Sequence, residues 1–201
     1  NLIRGELNYT GIELSPSCTK LARLKLKHLK TQSAIINGDM RNFNLNQTFD
    51  LIFIGYNSFL HLLNNEDAQS CLNCVKQHMH SKSQFIIDIF VPSPLFLYRP
   101  EGLRVPVLEY RESKTNKIVF IEESNVYDKN TDINKLTWYF SYKNKKIISI
   151  EEFYMRMYFP STMNRLLVDS GFKILNQWGD YYQTPLNVGS KLQIYNAKKS
   201  K

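Results

Sequence analysis

Acidic residues stand at or near the ends of three apolar segments in the first half of the chain. Glu13 closes the segment 9–15, Asp39 closes the segment 33–40, and Asp88 lies within the run 84–90. A carboxylate can accept two hydrogen bonds from a ribose diol. In open α/β sheets, ligands bind beyond the carboxyl ends of the strands. The three acids therefore predict a site for a ribose-containing ligand at the ends of neighbouring strands.

Each acid also has a structural alternative. An acid after a strand can cap the next helix, but Ser15 already occupies that cap position, which favours a ligand role for Glu13. Asp39 follows a glycine and would equally suit a turn. Asp88 is surrounded by apolar residues, so it is either buried and hydrogen-bonded or placed at the mouth of the site.

The spacing of the apolar segments predicts the elements that position these acids. Strands are expected over 9–15, 33–40, 49–55 and 84–90, with helices from Ser15 to about Leu29 and over 65–80. This order suits a Rossmann-like, doubly wound, mostly parallel α/β sheet. The run 49–55 is almost continuously apolar, as in a strand covered on both faces.

The second half of the chain changes character after Pro92 and Pro94. Strands are expected over 105–112, 117–127, 134–142 and 146–158, separated by short polar turns. Such turns indicate antiparallel hairpins, so 95–159 is interpreted as an inserted antiparallel β subdomain within an α/β domain of 1–94 and 160–201. A helix from Pro160 to the stop at Gly171, then strands at 172–178 and 191–197, complete that domain.

Four segments, in this order, resemble motifs of class I S-adenosylmethionine-dependent methyltransferases. They are 9–16, 38–43, 49–62 and 155–172. The resemblance implies S-adenosylmethionine as cofactor and methyl transfer to a nitrogen or oxygen atom of a small-molecule acceptor. It assigns Glu13 to the ribose, Leu14 to packing on the adenine, Asp39 and Met40 to the adenine edge and face, and Gly55 and Tyr56 to the methionine portion.

The same resemblance places the acceptor near the segment that follows 49–55. His61 is the candidate general base, needed only where the nucleophile must lose a proton; its alternative is packing against the inserted sheet. Asn57, Phe90 and Tyr158 are expected to shape the acceptor pocket. Arg156 is a candidate partner for an acidic substrate group, with a strand-surface arginine as the alternative. The inserted sheet resembles a lid that covers the substrate or forms a homodimer interface.

One feature of the family is missing from the sequence. The family has a glycine-rich loop after its first strand, whereas Gly5 stands alone here and 1–4 resemble the helix that follows such a loop. We therefore expect an N-terminal segment upstream, whose strand would lie between the strands at 9–14 and 49–54. Without it, two buried strands would each expose an unpaired edge.

Composition leaves three classes of function open. The net charge of +8 permits a nucleic-acid partner but does not favour one, because the basic residues are spread along the chain. An RNA or protein methyltransferase and a non-catalytic interaction module therefore remain as alternatives to the small-molecule enzyme. No apolar run approaches the roughly 20 residues of a membrane span. Three cysteines without a disulfide pattern indicate a cytoplasmic protein.

Two cysteines and a histidine raise the question of a metal site. Cys71, Cys74 and His78 are spaced as on one face of a helix, and a structural zinc site usually takes its ligands from two separated pairs. Core packing is therefore the favoured interpretation, and no metal is expected.

Overall fold

The computed structural model describes residues 8–27, 33–144 and 146–200, and within them the chain forms three β-sheets. The strands are β1 (Thr10–Glu13), β2 (Ala34–Asn37), β3 (Phe49–Ile54), β4 (Met79–Phe90), β5 (Val105–Arg111), β6 (Ile118–Asp128), β7 (Ile133–Tyr142), β8 (Ile147–Arg156), β9 (Phe172–Trp178) and β10 (Leu192–Lys199). The helices are α1 (Pro16–Leu26), α2 (Asn65–Gln77), α3 (Pro94–Leu97) and α4 (Pro160–Asp169), with a 3-10 turn at Ser58–His61.

The predicted parallel sheet is present in part. β1 pairs with β2 and β3 pairs with β4, both in parallel. The larger sheet has the order β3-β4-β10-β9, and β10 is antiparallel to both of its neighbours. No helix links β9 to β10, so the chain returns in the opposite direction, as a connection without a crossover requires.

The inserted segment forms a four-stranded antiparallel sheet in the order β5-β6-β7-β8. The four predicted strands are confirmed to within two residues at each end. Its inner face carries Glu123, Trp138 and Phe153, since these residues point the same way along paired strands. The division of the chain into an α/β domain and a subdomain, and dimerisation through this sheet, stay predictions.

The predicted starts of α1 and α4 are confirmed, whereas the predicted end of α2 is wrong. Ser15 caps α1 by accepting a hydrogen bond from the Cys18 N–H at 3.3 Å, and Pro16 is the first helical residue, as predicted. The predicted end near Leu29 lies outside the described residues. α2 is capped by Asn64 and ends at Gln77, so the predicted extension to residue 80 is wrong because β4 begins at Met79.

The core lies between the larger sheet and the helices α2 and α4. Completely buried side chains there include Leu60, Cys71, Leu72, Ile87, Met163 and Leu167. Cys71 therefore packs in the core, as its helical spacing predicted. No helix in the described ranges is long and apolar enough to cross a membrane.

β3 departs from the prediction that both of its faces are covered. Leu51 is 49% exposed and Phe53 is 41% exposed. Both side chains face a cleft towards β1, and among the described residues β1 and β3 do not pair. The prediction fails because no described element fills this cleft. The resemblance of residues 1–4 to a helix, and Gly5, fall outside the described residues.

Candidate functional site

A cleft of about 410 Å³ separates β1 from β3. Residues 8–12 form one wall, residues 51–56 form the other, and Met40, Cys71 and His78 lie among the lining residues between them. Three residues predicted to bind the cofactor, Met40, Gly55 and Tyr56, line this cleft. β1 is parallel to β2 and β3 is parallel to β4, so within each pair the carboxyl ends lie on the same side.

The end of β1 presents a carboxylate and an apolar side chain. Glu13 Oε1 accepts the Ser15 N–H at 2.8 Å, while Oε2 has no hydrogen-bond partner in the described part of the chain. Asn37 on β2 donates its side-chain amide to the Glu13 and Leu14 carbonyls at 2.9 and 3.0 Å. These bonds fix the strand end, and Leu14 is left 67% exposed. One carboxylate oxygen and one apolar side chain are therefore available to a ligand.

The end of β2 presents Asp39, whose carboxylate is engaged by Arg41. Asp39 accepts the Arg41 backbone N–H at 2.8 Å and the guanidinium at 2.6 to 3.0 Å. Arg41 also reaches Asp67 of α2 at 3.1 Å. The hydrogen bond from Arg41 holds the pKa of the Asp39 carboxyl below its usual range. A ligand amino group at this position would have to share Asp39 with Arg41 or displace it.

A buried histidine supports the loop that follows Asp39. His78 Nε2 lies 2.8 Å from the Leu45 backbone N–H, which can only donate, so Nε2 carries no hydrogen. The neutral ring then donates from Nδ1 to the Cys74 carbonyl at 2.7 Å. Phe43 stacks on the ring at 4.7 Å between centroids. His78 therefore holds Leu45 in place, and both residues line the cleft.

The loop after β3 has an unusual backbone. Tyr56 and Asn57 have φ angles of 56° and 62°, in the left-handed region. Such a conformation costs on the order of 1 kcal/mol for each residue and persists only where its surroundings hold it. Two bonds from β4 do so: the Tyr56 N–H donates to Asp88 at 2.7 Å, and Asn57 Oδ1 accepts the Phe90 N–H at 2.8 Å. The NH₂ group of the Asn57 side chain has no hydrogen-bond partner among the described residues and is available to a substrate.

His61 contacts the inserted sheet. Its Nδ1 lies 3.2 Å from the Tyr154 carbonyl oxygen, and a carbonyl only accepts, so this hydrogen bond places the hydrogen on Nδ1 and leaves Nε2 as the basic nitrogen. The ring lies 6.4 Å from Phe153, which in turn meets Trp138 edge-on at 5.3 Å. The predicted packing alternative is thus present, and the geometry also leaves a nitrogen able to accept a proton.

A continuous series of contacts leads from Trp138 back to β4. The Trp138 indole N–H donates to Glu123 at 2.8 Å, and Glu123 also pairs with Arg99 at 3.0 Å. The Arg99 guanidinium lies 4.8 Å from the Phe96 ring centroid, and Phe96 meets Phe90 edge-on at 5.6 Å. The predicted acceptor residues His61 and Phe90 are therefore linked by an aromatic wall that contains one ion pair.

Two other predicted acceptor residues lie elsewhere. Tyr158 is completely buried, and its hydroxyl donates to the Leu62 carbonyl at 2.6 Å. Burial raises the pKa of Tyr158 to about 12. Arg156 donates to Asn65 of α2 at 2.9 Å and lies over the Tyr158 ring. In this structure both side chains join the inserted sheet to the core and neither faces an open acceptor space.

Sequence reasoning missed one residue at the site. The Tyr181 hydroxyl, from the loop between β9 and β10, donates to Asp88 Oδ2 at 2.8 Å. Asp88 is half-buried near the end of β4 and accepts hydrogen bonds from Tyr56 and Tyr181. The turn signal at Gly179 and Asp180 predicts a loop, but no local pattern places that loop against β4.

Comparison with known families and proteins gives one family match and none among curated proteins. Residues 2–82 match the family model of the methyltransferase domain. No curated protein sequence matches the chain.

Solved structures resemble nearly the whole chain. An S-adenosylmethionine-dependent methyltransferase from Clostridium acetobutylicum ATCC 824 superposes with a TM-score of 0.78 at 20% identity, covering 97% of this chain and 76% of that one. The CcbJ methyltransferase from Streptomyces caelestis gives 0.79 at 13% identity, covering 96% and 74%. The sugar N-methyltransferase KedS8 from Streptoalloteichus sp ATCC 53650 gives 0.68 at 15% identity, covering 96% and 71%. At these identities the likeness establishes a shared fold.

Proposed function

We propose that the chain transfers a methyl group from S-adenosylmethionine to a nitrogen or oxygen atom of a small-molecule acceptor. Residues 2–82 match the methyltransferase domain, and the chain has the fold of S-adenosylmethionine-dependent methyltransferases, which supports this proposal. One observation carries the proposal. The matched residues 2–82 include Met40, Gly55 and Tyr56, which line one cleft, and they also include Glu13, Leu14 and Asp39 at or just after the ends of β1 and β2.

The residues at these strand ends fit the cofactor chemically. Glu13 has one carboxylate oxygen without a partner among the described residues, which suits a ribose hydroxyl. Leu14 is exposed and Met40 lines the cleft, which suits the two faces of an adenine ring. Gly55 and Tyr56 border the cleft beyond β3, where the methionine portion would lie.

The bound cofactor supplies a methyl group that is already activated on a sulfonium. The protein then has to bind, orient the acceptor and exclude water. The aromatic wall of Phe90, Phe96, Trp138 and Phe153 supports a role in covering an acceptor, because large rings exclude water from the space beside them. Solved neighbours that act on sugars and glycopeptides support a small-molecule acceptor.

His61 has the position and tautomer of a general base in this proposal. With a hydrogen on Nδ1, its Nε2 can take a proton from a hydroxyl or ammonium acceptor. Asn57 and Phe90, at the ends of β3 and β4, are joined by a hydrogen bond of 2.8 Å and would contact the acceptor. Tyr158 and Arg156 would act indirectly: Arg156 holds β8 against α2, and Tyr158 holds the segment after β8 against Leu62.

Calorimetric titration of the full-length protein with S-adenosylhomocysteine tests the cofactor site. Replacing Glu13 by alanine removes one or two hydrogen bonds to the ribose, each worth about 1 kcal/mol, so the Kd should rise roughly 5- to 30-fold. Glu101→Ala is the matched control, because Glu101 is exposed on a turn outside the cleft.

The outcomes separate the alternatives. Micromolar binding that is weakened to this extent in Glu13→Ala and unchanged in Glu101→Ala supports the enzyme. A panel of amine and hydroxyl acceptors would then be screened by the release of S-adenosylhomocysteine. Absence of binding by the full-length protein would overturn the proposal and leave an interaction module on a methyltransferase fold.

A further inference from the structure

Asp88 has no role in the function proposed above, yet it joins two separate loops. Its Oδ1 accepts the backbone N–H of Tyr56, and its Oδ2 accepts the hydroxyl of Tyr181, at 2.7 and 2.8 Å. It also lies against Gly55, where an added Cβ would stand 3.7 Å from Oδ2. One carboxylate near the end of β4 therefore touches both the loop after β3 and the loop before β10.

The first of these loops depends on outside support. Tyr56 and Asn57 are consecutive residues in the left-handed region, and neither is a glycine. The turn exposes the Tyr56 side chain almost completely, so side-chain packing does not stabilise it. Among the described residues, two hydrogen bonds join this turn to β4: the Tyr56 N–H donates to Asp88, and the Phe90 N–H donates to Asn57 Oδ1.

The second loop, residues 179–190, is ordered within itself. Asp180 accepts the N–H groups of Tyr182 and Thr184 at 2.9 and 3.1 Å, and the Gly179 N–H donates to the Thr184 carbonyl at 2.7 Å. These bonds give the loop its shape but do not fix where it lies relative to β4. The Val91 N–H donates to the Lys191 carbonyl at 2.9 Å and holds the end of the loop beside β4, and the Tyr181 hydroxyl joins the other part of the loop to Asp88.

We propose that Asp88 is a positioning residue that latches the 55–57 loop and the 179–190 loop together at the cofactor-binding side, with Tyr181 as its partner. The inference rests on the proposed function, because Gly55 and Tyr56 are the residues assigned to the methionine portion of the cofactor. The hydrogen bond to Asp88 also raises the pKa of Tyr181, which keeps its hydroxyl protonated as the donor. Loss of the latch should loosen the cofactor site without unfolding the protein.

Amide hydrogen exchange, read by mass spectrometry, tests the latch independently of any ligand. Tyr181→Phe removes one of the two bonds and should speed exchange in 179–190. Asp88→Ala removes both bonds and should speed exchange in 55–57 as well. Asp88→Asn keeps an acceptor for the Tyr56 N–H and an amide that can donate to the Tyr181 oxygen, so it should restore slow exchange in both segments.

Tyr182→Phe is the matched control for Tyr181→Phe. Tyr182 is the next residue in the same loop, is 93% exposed, and its hydroxyl has no partner in the described part of the chain. Exchange in Tyr182→Phe should therefore equal that of the wild type. If Tyr181→Phe behaves like Tyr182→Phe, or if Asp88→Ala speeds exchange throughout the chain, the latch does not exist.

Titration with S-adenosylhomocysteine then measures what the latch does. We expect the Kd to rise at least 10-fold in Asp88→Ala, about 3-fold in Tyr181→Phe, and less than 2-fold in Asp88→Asn. An unchanged Kd in Asp88→Ala overturns the positioning role. A wild type that does not bind overturns the proposed function, whereas the exchange pattern still decides whether Asp88 latches the two loops.

Discussion

Among the single residues of the site, Arg41 binds the carboxylate of Asp39, which follows β2, and lowers its pKa. Its guanidinium is shared between Asp39 and Asp67, so it ties the loop after β2 to α2. Because the hydrogen bond from Arg41 lowers the pKa of Asp39, the charged carboxylate is favoured in the folded protein. The resulting stability is present above the unfolded-state pKa of Asp39 and is lost as the pH falls through its folded-state pKa.

Replacing Arg41 by methionine should raise the pKa of Asp39 towards its ordinary value. The variant keeps a long apolar side chain but loses the donor, so the carboxylate is no longer favoured. Carboxyl ¹³C chemical shifts followed against pH would measure this. The pKa of Asp128 should not move, since it is lowered by bonds within its own turn, chiefly from the Asn130 N–H. An unchanged pKa of Asp39 would show that the Arg41 side chain points elsewhere in solution.

The sequence predicted which residue types stand at the strand ends but not what they bind within the protein. Glu13, Leu14 and Met40 could be placed because strand ends follow from local apolar runs. The salt bridge between Asp39 and Arg41, which are two residues apart, depends on side-chain rotamers that a sequence pattern does not specify. Tyr158 was predicted to shape the acceptor pocket, whereas it is buried against Leu62 and Phe59, contacts that a sequence pattern does not specify.

At the scale of elements, local signals were accurate where one residue determines the backbone. Gly171 ends α4 with a φ of 82°, and Ser15 with Pro16 begins α1, both as predicted. The signals failed where tertiary pairing decides, as at the end of α2. There residues 79–83 join β4 instead of extending the helix, and Ser83 bonds to the Phe49 carbonyl on the neighbouring strand.

Replacing Gly171 tests whether this residue determines the end of α4. An L-residue in the left-handed region costs roughly 1–2 kcal/mol, so Gly171→Ala should lower the free energy of unfolding by about that amount in urea denaturation. Gly171→Asn should cost less, because asparagine tolerates this conformation better than alanine. Gly189→Ala is the control, since Gly189 is exposed and lies outside the left-handed region. Equal stabilities of the two alanine variants would contradict the assignment of the helix end to Gly171.

Across the whole molecule, the strands differ in whether one or both of their edges are hydrogen-bonded to a neighbour. β10 is hydrogen-bonded on both sides, to β4 and to β9. In the described part of the chain β3 pairs only with β4 and β1 only with β2, and the cleft lies between them. The sequence predicted this gap from the missing glycine-rich loop, because the family's first strand would occupy it. The predicted N-terminal segment itself stays a prediction.

Backbone amide exchange, resolved by residue with NMR, would show whether the cleft edge is open in solution. In the 201-residue chain, amides of β1 and β3 that point into the cleft should exchange much faster than those of β10, since an unpaired edge amide is exposed to water. If a preceding strand pairs with these edges, the full-length protein should protect the same amides and leave β10 unchanged. Equal protection of the cleft amides and β10 in the 201-residue chain would instead mean that the edges are already covered, by residues outside the described ranges or by a second copy of the chain.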